Sequence, residues 1–270
     1  MRKISFVVLF LIMAIGIYTK NIKVVSAIYP GLEGKTNLGD DGLNIEILKV
    51  LCKEAGIDLE VKQYPRNRAL QLLKSGDSQI YLGSITHLDK NMRKDYIEVP
   101  ISIVVSVLFY MKEKYPNFSW KKYKDLNKYF IGTQTGGNIP RVAKENKLNF
   151  EETPDTRALI KKLYTGRNNM IVLVDFAGLA LIKEMYPEES SKFAYSTNPF
   201  YITEIGLLIN KNYKEYENLE EKLHKALDKL YKNGTWESLM KKYSVHDKVP
   251  VEGKNYIESY LKSKNSNKKK

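Results

Sequence analysis

The sequence predicts a two-lobed α/β protein, each lobe a mostly parallel sheet flanked by helices, with two hinge strands joining them. Three observations predict it: two successive runs of strand–helix alternation, a long β-branched run at Ser102–Met111 between them, and a return strand at Ile205–Ile209. At 270 residues the chain could form one large domain or two lobes, and the interrupted alternation favours two.

The first 20 residues stand apart. Met1-Arg2-Lys3 precedes an apolar run from Ile4 to Ile17, with no acidic residue before Glu33. A basic start and an apolar stretch shorter than the roughly 20 residues of a spanning helix predict a secretory leader over 1–20. Residues 21–31 then read as a strand closing in a Pro-Gly turn. Gly42 and Gly56 bracket a helix over Leu43–Ala55, on which Cys52 shares a face with Ile47, Leu48 and Leu51. That lone cysteine reads as a buried, inert thiol, and with no second one there is no intramolecular disulfide. No cysteine follows the leader to carry a lipid anchor.

Leu59–Gln63 is a second strand, Arg66–Ser75 a helix closed by Gly76, and Gln79–Ile85 a third strand. The second alternation comprises a strand at Tyr129–Thr133, a helix at Ile139–Asn146, a short strand at Asn149–Glu151 and a helix at Thr156–Tyr164. A strand at Met170–Val174, a helix at Phe176–Met185 and a short strand at Phe193–Ser196 complete it. In residues 215–243, Leu219, Leu223, Ala226, Leu227 and Leu230 recur at helical spacing. Gly234 ends that helix, and Thr235 is placed to N-cap a shorter one. The expected division is lobe one over 21–108 and 203–247, and lobe two over 109–202. Hinges are expected near 109–112 and 198–203, with a basic tail over 248–270.

Net charge is +13, but it concentrates at the ends: without residues 1–20 it is +10, and without 262–270 (KSKNSNKKK) as well it is +5. The tail reads as a disordered, solvated end. No nucleic-acid-binding motif accompanies it.

Ligands of open α/β sheets gather at the carboxyl ends of strands, and four groups of residues stand there. Gly83-Ser84-Ile85-Thr86 offers backbone amides and hydroxyls, with Arg93 downstream as a bidentate carboxylate partner. Tyr64-Pro65-Arg66-Asn67-Arg68 offers an aromatic face at Tyr64 and two further guanidinium groups, of which Arg68 is a candidate ligand contact. Tyr29 is a second stacking residue. Gly132-Thr133-Gln134-Thr135-Gly136-Gly137-Asn138 turns a strand into a helix, and Gln134, Gly136, Gly137 and Asn138 can present amides to an anion. Asp175 closes the strand at Met170–Val174, where it could pair with an ammonium or cap the helix that follows. His87, His224 and His246 are scattered and match no zinc spacing, and no nucleophile elbow is present. No catalytic residue, metal site or cofactor is assigned.

The terminal pattern, Leu219 through Gly234-Thr235, Leu239 and Lys242-Tyr243, resembles the C-terminal signature of bacterial extracellular solute-binding proteins of family 3. Gly83–Thr86 with Arg93 resembles that family's G-x-T…R element, and Pro65 through Arg68-Ala69-Leu70 a P-x-x-R-A-L element of a divergent branch. Gln134–Gly137 resembles its G-x-Q-x-G-[ST] turn. Departures are visible: ungapped counting puts Asn91 at the family arginine, Gly137 stands where a hydroxyl is usual, and Asn169 replaces an aspartate after Gly166-Arg167.

The resemblance implies a type II periplasmic binding protein, a monomer that captures a small polar solute between its lobes and delivers it to the membrane permease of an ABC importer. It implies an amino acid ligand, with the carboxylate on Ser84, Thr86 and an arginine (Arg93, Arg66 or Arg68) and the ammonium on Asp175. It places the protein, unlipidated, in the periplasm. The rival readings are a cyclohexadienyl dehydratase-like enzyme, which relatives of this fold include, and a ligand-sensing module without transport.

Overall fold

A computed structural model describes residues 21–29, 41–244 and 249–267. The predicted leader, the Pro30-Gly31 turn and His246 lie outside the described residues.

The strands are β1 (Ile22–Ala27), β2 (Leu59–Tyr64), β3 (Ile80–Gly83), β4 (Tyr96–Met111), β5 (Ile131–Gln134), β6 (Phe150–Thr153), β7 (Met170–Val174), β8 (Phe193–Tyr195) and β9 (Tyr201–Asn210). The helices are α1 (Leu43–Ala55), α2 (Arg66–Ser75), α3 (Asn138–Glu145), α4 (Thr156–Tyr164), α5 (Asp175–Met185), α6 (Tyr216–Lys232), α7 (Thr235–Lys242) and α8 (Val251–Asn267). One mixed sheet runs β2-β1-β3-β9-β4-β7-β5-β6, with β8 pairing β4 off that path.

Its two wings are parallel, β2-β1-β3 on one side and β7-β5-β6 on the other. Both are joined through antiparallel pairing of β9 with β4. Ser106 marks the changeover, because it pairs Tyr201 of β9 and also Val174 of β7. Two parallel units bridged by a long antiparallel pair is the predicted two-lobed α/β architecture.

Each wing buries its own apolar set. Leu48, Leu51, Leu82, Leu207, Leu223 and Leu227 pack on the first. Leu108, Ile131, Val142 and Met170 pack on one face of the second, and Phe109, Leu159, Leu163 and Leu173 on the other. Cys52 is 1% exposed, and burial pushes its thiol up to about 12, so it is an inert core group.

Several local readings change. The long strand starts at Tyr96, not Ser102: Glu98 and Pro100 interrupt the apolar pattern, yet the pairing with β9 runs through them to a bulge at Pro100–Ser102. The third strand ends at Gly83, because Ser84 Oγ accepts the Thr86 amide and caps a 3-10 turn over 85–87. Gly234, at φ 79°, is itself the N-cap of α7, and Thr235 is the first helical residue. The disordered reading of 262–270 is overturned for residues 262–267, which are the last turns of α8. Gly253, Ile257 and Leu261 recur every fourth residue and are buried, a stripe that the surrounding lysines obscure in the sequence.

Candidate functional site

The parallel strands β1, β3, β5 and β7 all end at one cleft between the two wings. Its mouth, about 500 Å³, lies between the start of α2 and the glycine turn that opens α3. An inner recess of about 90 Å³ reaches Ser106, Val174 and Thr203 at the β4–β9 crossing. A side pocket of about 310 Å³ is lined by Ser84, Thr86, Asn138, Tyr201, Glu204 and Glu252. Asn138 is common to all three spaces.

Arg66 is the first residue of α2, placed there by Pro65, whose fixed φ suits a chain entering a helix. Its guanidinium makes no hydrogen bond or ion pair among the described residues, and its Nε is shielded from solvent without a partner. Across the cleft lie Gly136 and Gly137, at φ 80° and 77°. A Cβ on Gly137 would stand 2.9 Å from Arg66 Nη1, closer than real contacts allow. A side chain at Gly137, where the family pattern has a hydroxyl, would require the end of the Arg66 side chain to shift. α3 has no side-chain cap, and its first two residues, Asn138 and Ile139, line the inner recess, while the Gly136 amide donates to Glu152 at 3.1 Å.

His87 borders the same space. Burial, reinforced by the charge of Arg66, pushes its imidazole down to about 3, so the ring is neutral near pH 7. Tyr81 and His87 Nδ1 are hydrogen-bonded at 2.9 Å. Ser84 and Thr86 share a 2.8 Å hydroxyl–hydroxyl bond on the same turn. Near the side pocket, burial holds the Glu98 carboxyl above its usual range, and the charge of Glu204 adds to this.

The structure brings Tyr29, Ser84, Thr86, Gln134, Gly136, Gly137 and Asn138 together around these spaces. The other four predicted residues are not among those that line these three spaces. Tyr64 packs beside Ala69, Leu73 and Tyr81 in the core under α2. Arg68 is exposed, two residues along the helix from Arg66 and therefore on another face. Arg93 Nε donates to the Leu88 carbonyl at 3.1 Å. Asp175 is the first residue of α5 and accepts the Phe176 amide at 2.7 Å, while its charge bears on Tyr195.

Residues that the sequence did not single out also line the cleft: His87, Ser106, Thr203, Glu204 and Glu252. His87 carries a usable signal, since it sits on the turn that holds Ser84 and Thr86. Glu252, from a segment read as a tail, carries none.

Residues 25–246 match the family of bacterial extracellular solute-binding proteins, family 3. The chain belongs to that family. As a family 3 solute-binding protein it is similar to the arginine-binding extracellular protein ArtP of Bacillus subtilis, 25% identical over 234 residues, 85% of this chain and 88% of ArtP. Its fold is that of the arginine-, lysine-, histidine-binding protein ArtJ of Geobacillus stearothermophilus, with a TM-score of 0.65 at 18% identity over 86% of this chain and 97% of ArtJ. A histidine kinase sensor domain similar to periplasmic binding proteins shares the fold too, with a TM-score of 0.67 at 18% identity over 84% of this chain and 96% of that one. For this family 3 protein, no helix among the described residues is long and apolar enough to cross a membrane.

Proposed function

We propose that this solute-binding protein captures an amino acid between its lobes and presents it to the permease of an ABC importer, after export by its N-terminal leader to the periplasm. The unpaired guanidinium of Arg66, set over the Gly136–Gly137 backbone in the interlobe cleft, carries the reading. A partly shielded arginine with no carboxylate of its own is suited to bind a ligand carboxylate bidentately. The amides at the start of α3 and the Thr86 hydroxyl add donors from both sides of the cleft. Arg66 takes the anchoring role that the resemblance offered to Arg93, Arg66 or Arg68. Similarity to ArtP supports an amino acid as the ligand.

Asp175 would take the ammonium by turning from its own helix start toward the cleft as the lobes move. The division into lobes at 21–108 with 203–247 and at 109–202 is retained, with the crossing at Ser106 and Tyr201. Binding and release without covalent chemistry is the activity of solute-binding proteins.

The experiment is a titration of the mature protein with the standard amino acids, followed by thermal unfolding and calorimetry. A ligand at a hundred times its Kd raises stability by about 2.7 kcal/mol. Binding of one or a few amino acids, abolished in Arg66→Ala, is the expected result. No shift with any amino acid would overturn the ligand assignment.

A further inference from the structure

Tyr81 and Gly83 lie two residues apart on β3, and so on one face of it. A Cβ on Gly83 would overlap Tyr81 Cε1 and stand 2.8 Å from the tyrosine oxygen, so the ring lies over bare backbone. Tyr81 is wholly buried, and its oxygen is 2.9 Å from His87 Nδ1, with the two rings edge to face. The His87 amide donates to the Ser84 carbonyl at 3.0 Å, which fixes the main chain of the turn. The imidazole is therefore held at two points, by a strut from the core and by its own turn.

The other ring nitrogen is left over. His87 Nε2 makes no hydrogen bond among the described residues, and the residue lines both the inner recess and the mouth of the cleft. A phenol O–H is a stronger donor than an imidazole N–H, and an imidazole nitrogen is the stronger acceptor. Tyr81 therefore donates to Nδ1, and the ring proton sits on Nε2. Burial and the charge of Arg66 both oppose a second proton on the ring. His87 thus adds a neutral donor to the spaces that also hold the unpartnered Arg66. No acidic residue among the described residues lines either space, so the group these donors match is an anion.

We propose that His87 contacts the ligand, its Nε2–H binding the solute's carboxylate beside Arg66, and that Tyr81 is the positioning residue that sets its tautomer. The proposal rests on the amino acid reading of the cleft. A neutral donor grips the anion without placing a second buried cation against Arg66. Gly83 has a reason in the same device, because a side chain there would displace the tyrosine.

The test begins with calorimetric titration of the mature protein with the standard L-amino acids. Each binder and its α-carboxamide are then titrated into His87→Phe, His87→Gln and Tyr81→Phe, with circular dichroism to check folding. His87→Phe should weaken binding of the amino acid by about tenfold or more, and of the uncharged carboxamide group by less than about threefold. His87→Gln, whose amide can donate from a similar position, should recover most of that loss. Tyr81→Phe should also weaken binding, and nitrogen NMR should show the Nε2-protonated tautomer in the wild type and a mixture in this variant. Equal affinity of wild type and His87→Phe for the amino acid overturns the proposal while amino acid binding stands. An equal loss for amino acid and carboxamide, with no recovery in His87→Gln, overturns it as well, since a merely structural role would give that pattern. A wild-type ring protonated on Nδ1 overturns the role of Tyr81. If the wild type binds none of the standard amino acids, the amino acid reading falls and this role with it.

Discussion

Arg66 and Gly137 are sterically matched across the cleft: a β-carbon on the glycine would lie 2.9 Å from Nη1 and 3.4 Å from Cζ of the arginine. Gly137 also sits at φ 77°, where residues with a side chain are strained. Adding the serine hydroxyl usual at this position should therefore impair the site. Gly137→Ser is expected to lower stability by about 1 kcal/mol from backbone strain alone. It should also weaken ligand binding by displacing the guanidinium. Denaturant unfolding and calorimetry of the variant test this, and tighter binding in Gly137→Ser would show that Arg66 needs no such space.

The neighbouring arginines should separate cleanly. Arg66→Ala removes a charge-assisted partner worth about 3 kcal/mol, a loss of roughly 100-fold in affinity. Arg68→Ala, on the exposed face of α2, should change affinity less than about twofold. Parallel titrations decide the matter, and a larger loss at Arg68 would reassign the anchor.

His87 makes stability depend on pH in a definite direction. Its folded-state value, about 3, lies below the unfolded value of about 6.5, so the unfolded chain binds the proton more readily. Its contribution is complete above about pH 6.5 and is lost as pH falls toward 3. Between pH 6.5 and 5 this one group should cost about 2 kcal/mol. Urea unfolding of wild type and His87→Phe at both pH values measures the difference. Identical pH dependence in the two proteins would place the imidazole in solvent.

Helix α8 can be probed apart from any ligand. Leu261 is 6% exposed within the first-wing core, so Leu261→Ala should cost about 2–4 kcal/mol in unfolding free energy. A cost below about 0.5 kcal/mol, the range of surface changes, would mean that the helix does not dock.

Much of the fold was legible because its signals are local. The helix over Leu43–Ala55 begins after one glycine and ends at another, and the structure reproduces both limits. Met170–Val174 is an unbroken apolar run buried on both faces, as expected of a strand inside a parallel wing. Pattern reading was weakest where a local cue opposed a long-range contact. A proline such as Pro100 is a local cue against a strand, yet β9 pairs across it. The lysines near the C-terminus argued for a solvated tail, yet Ile257 and Leu261 are buried against the core. The site was legible in part: glycines and hydroxyls at strand ends pointed to Ser84, Thr86 and the turn at Gln134–Asn138.

The sequence by itself determined the α/β class, the two parallel wings with their long connecting strands, the membership of the terminal helix pair and the inert cysteine. Each depends on periodicity, on glycine conformation or on a motif read within a few dozen residues. Only the tertiary structure decided that Arg66 rather than Arg68 faces the glycine turn, that His87 is buried beside it, and that Glu252 of α8 lines the side pocket with Glu204. Those relationships join residues far apart in the chain, and they follow from helix rotation and the crossing of β4 with β9, which no local pattern encodes.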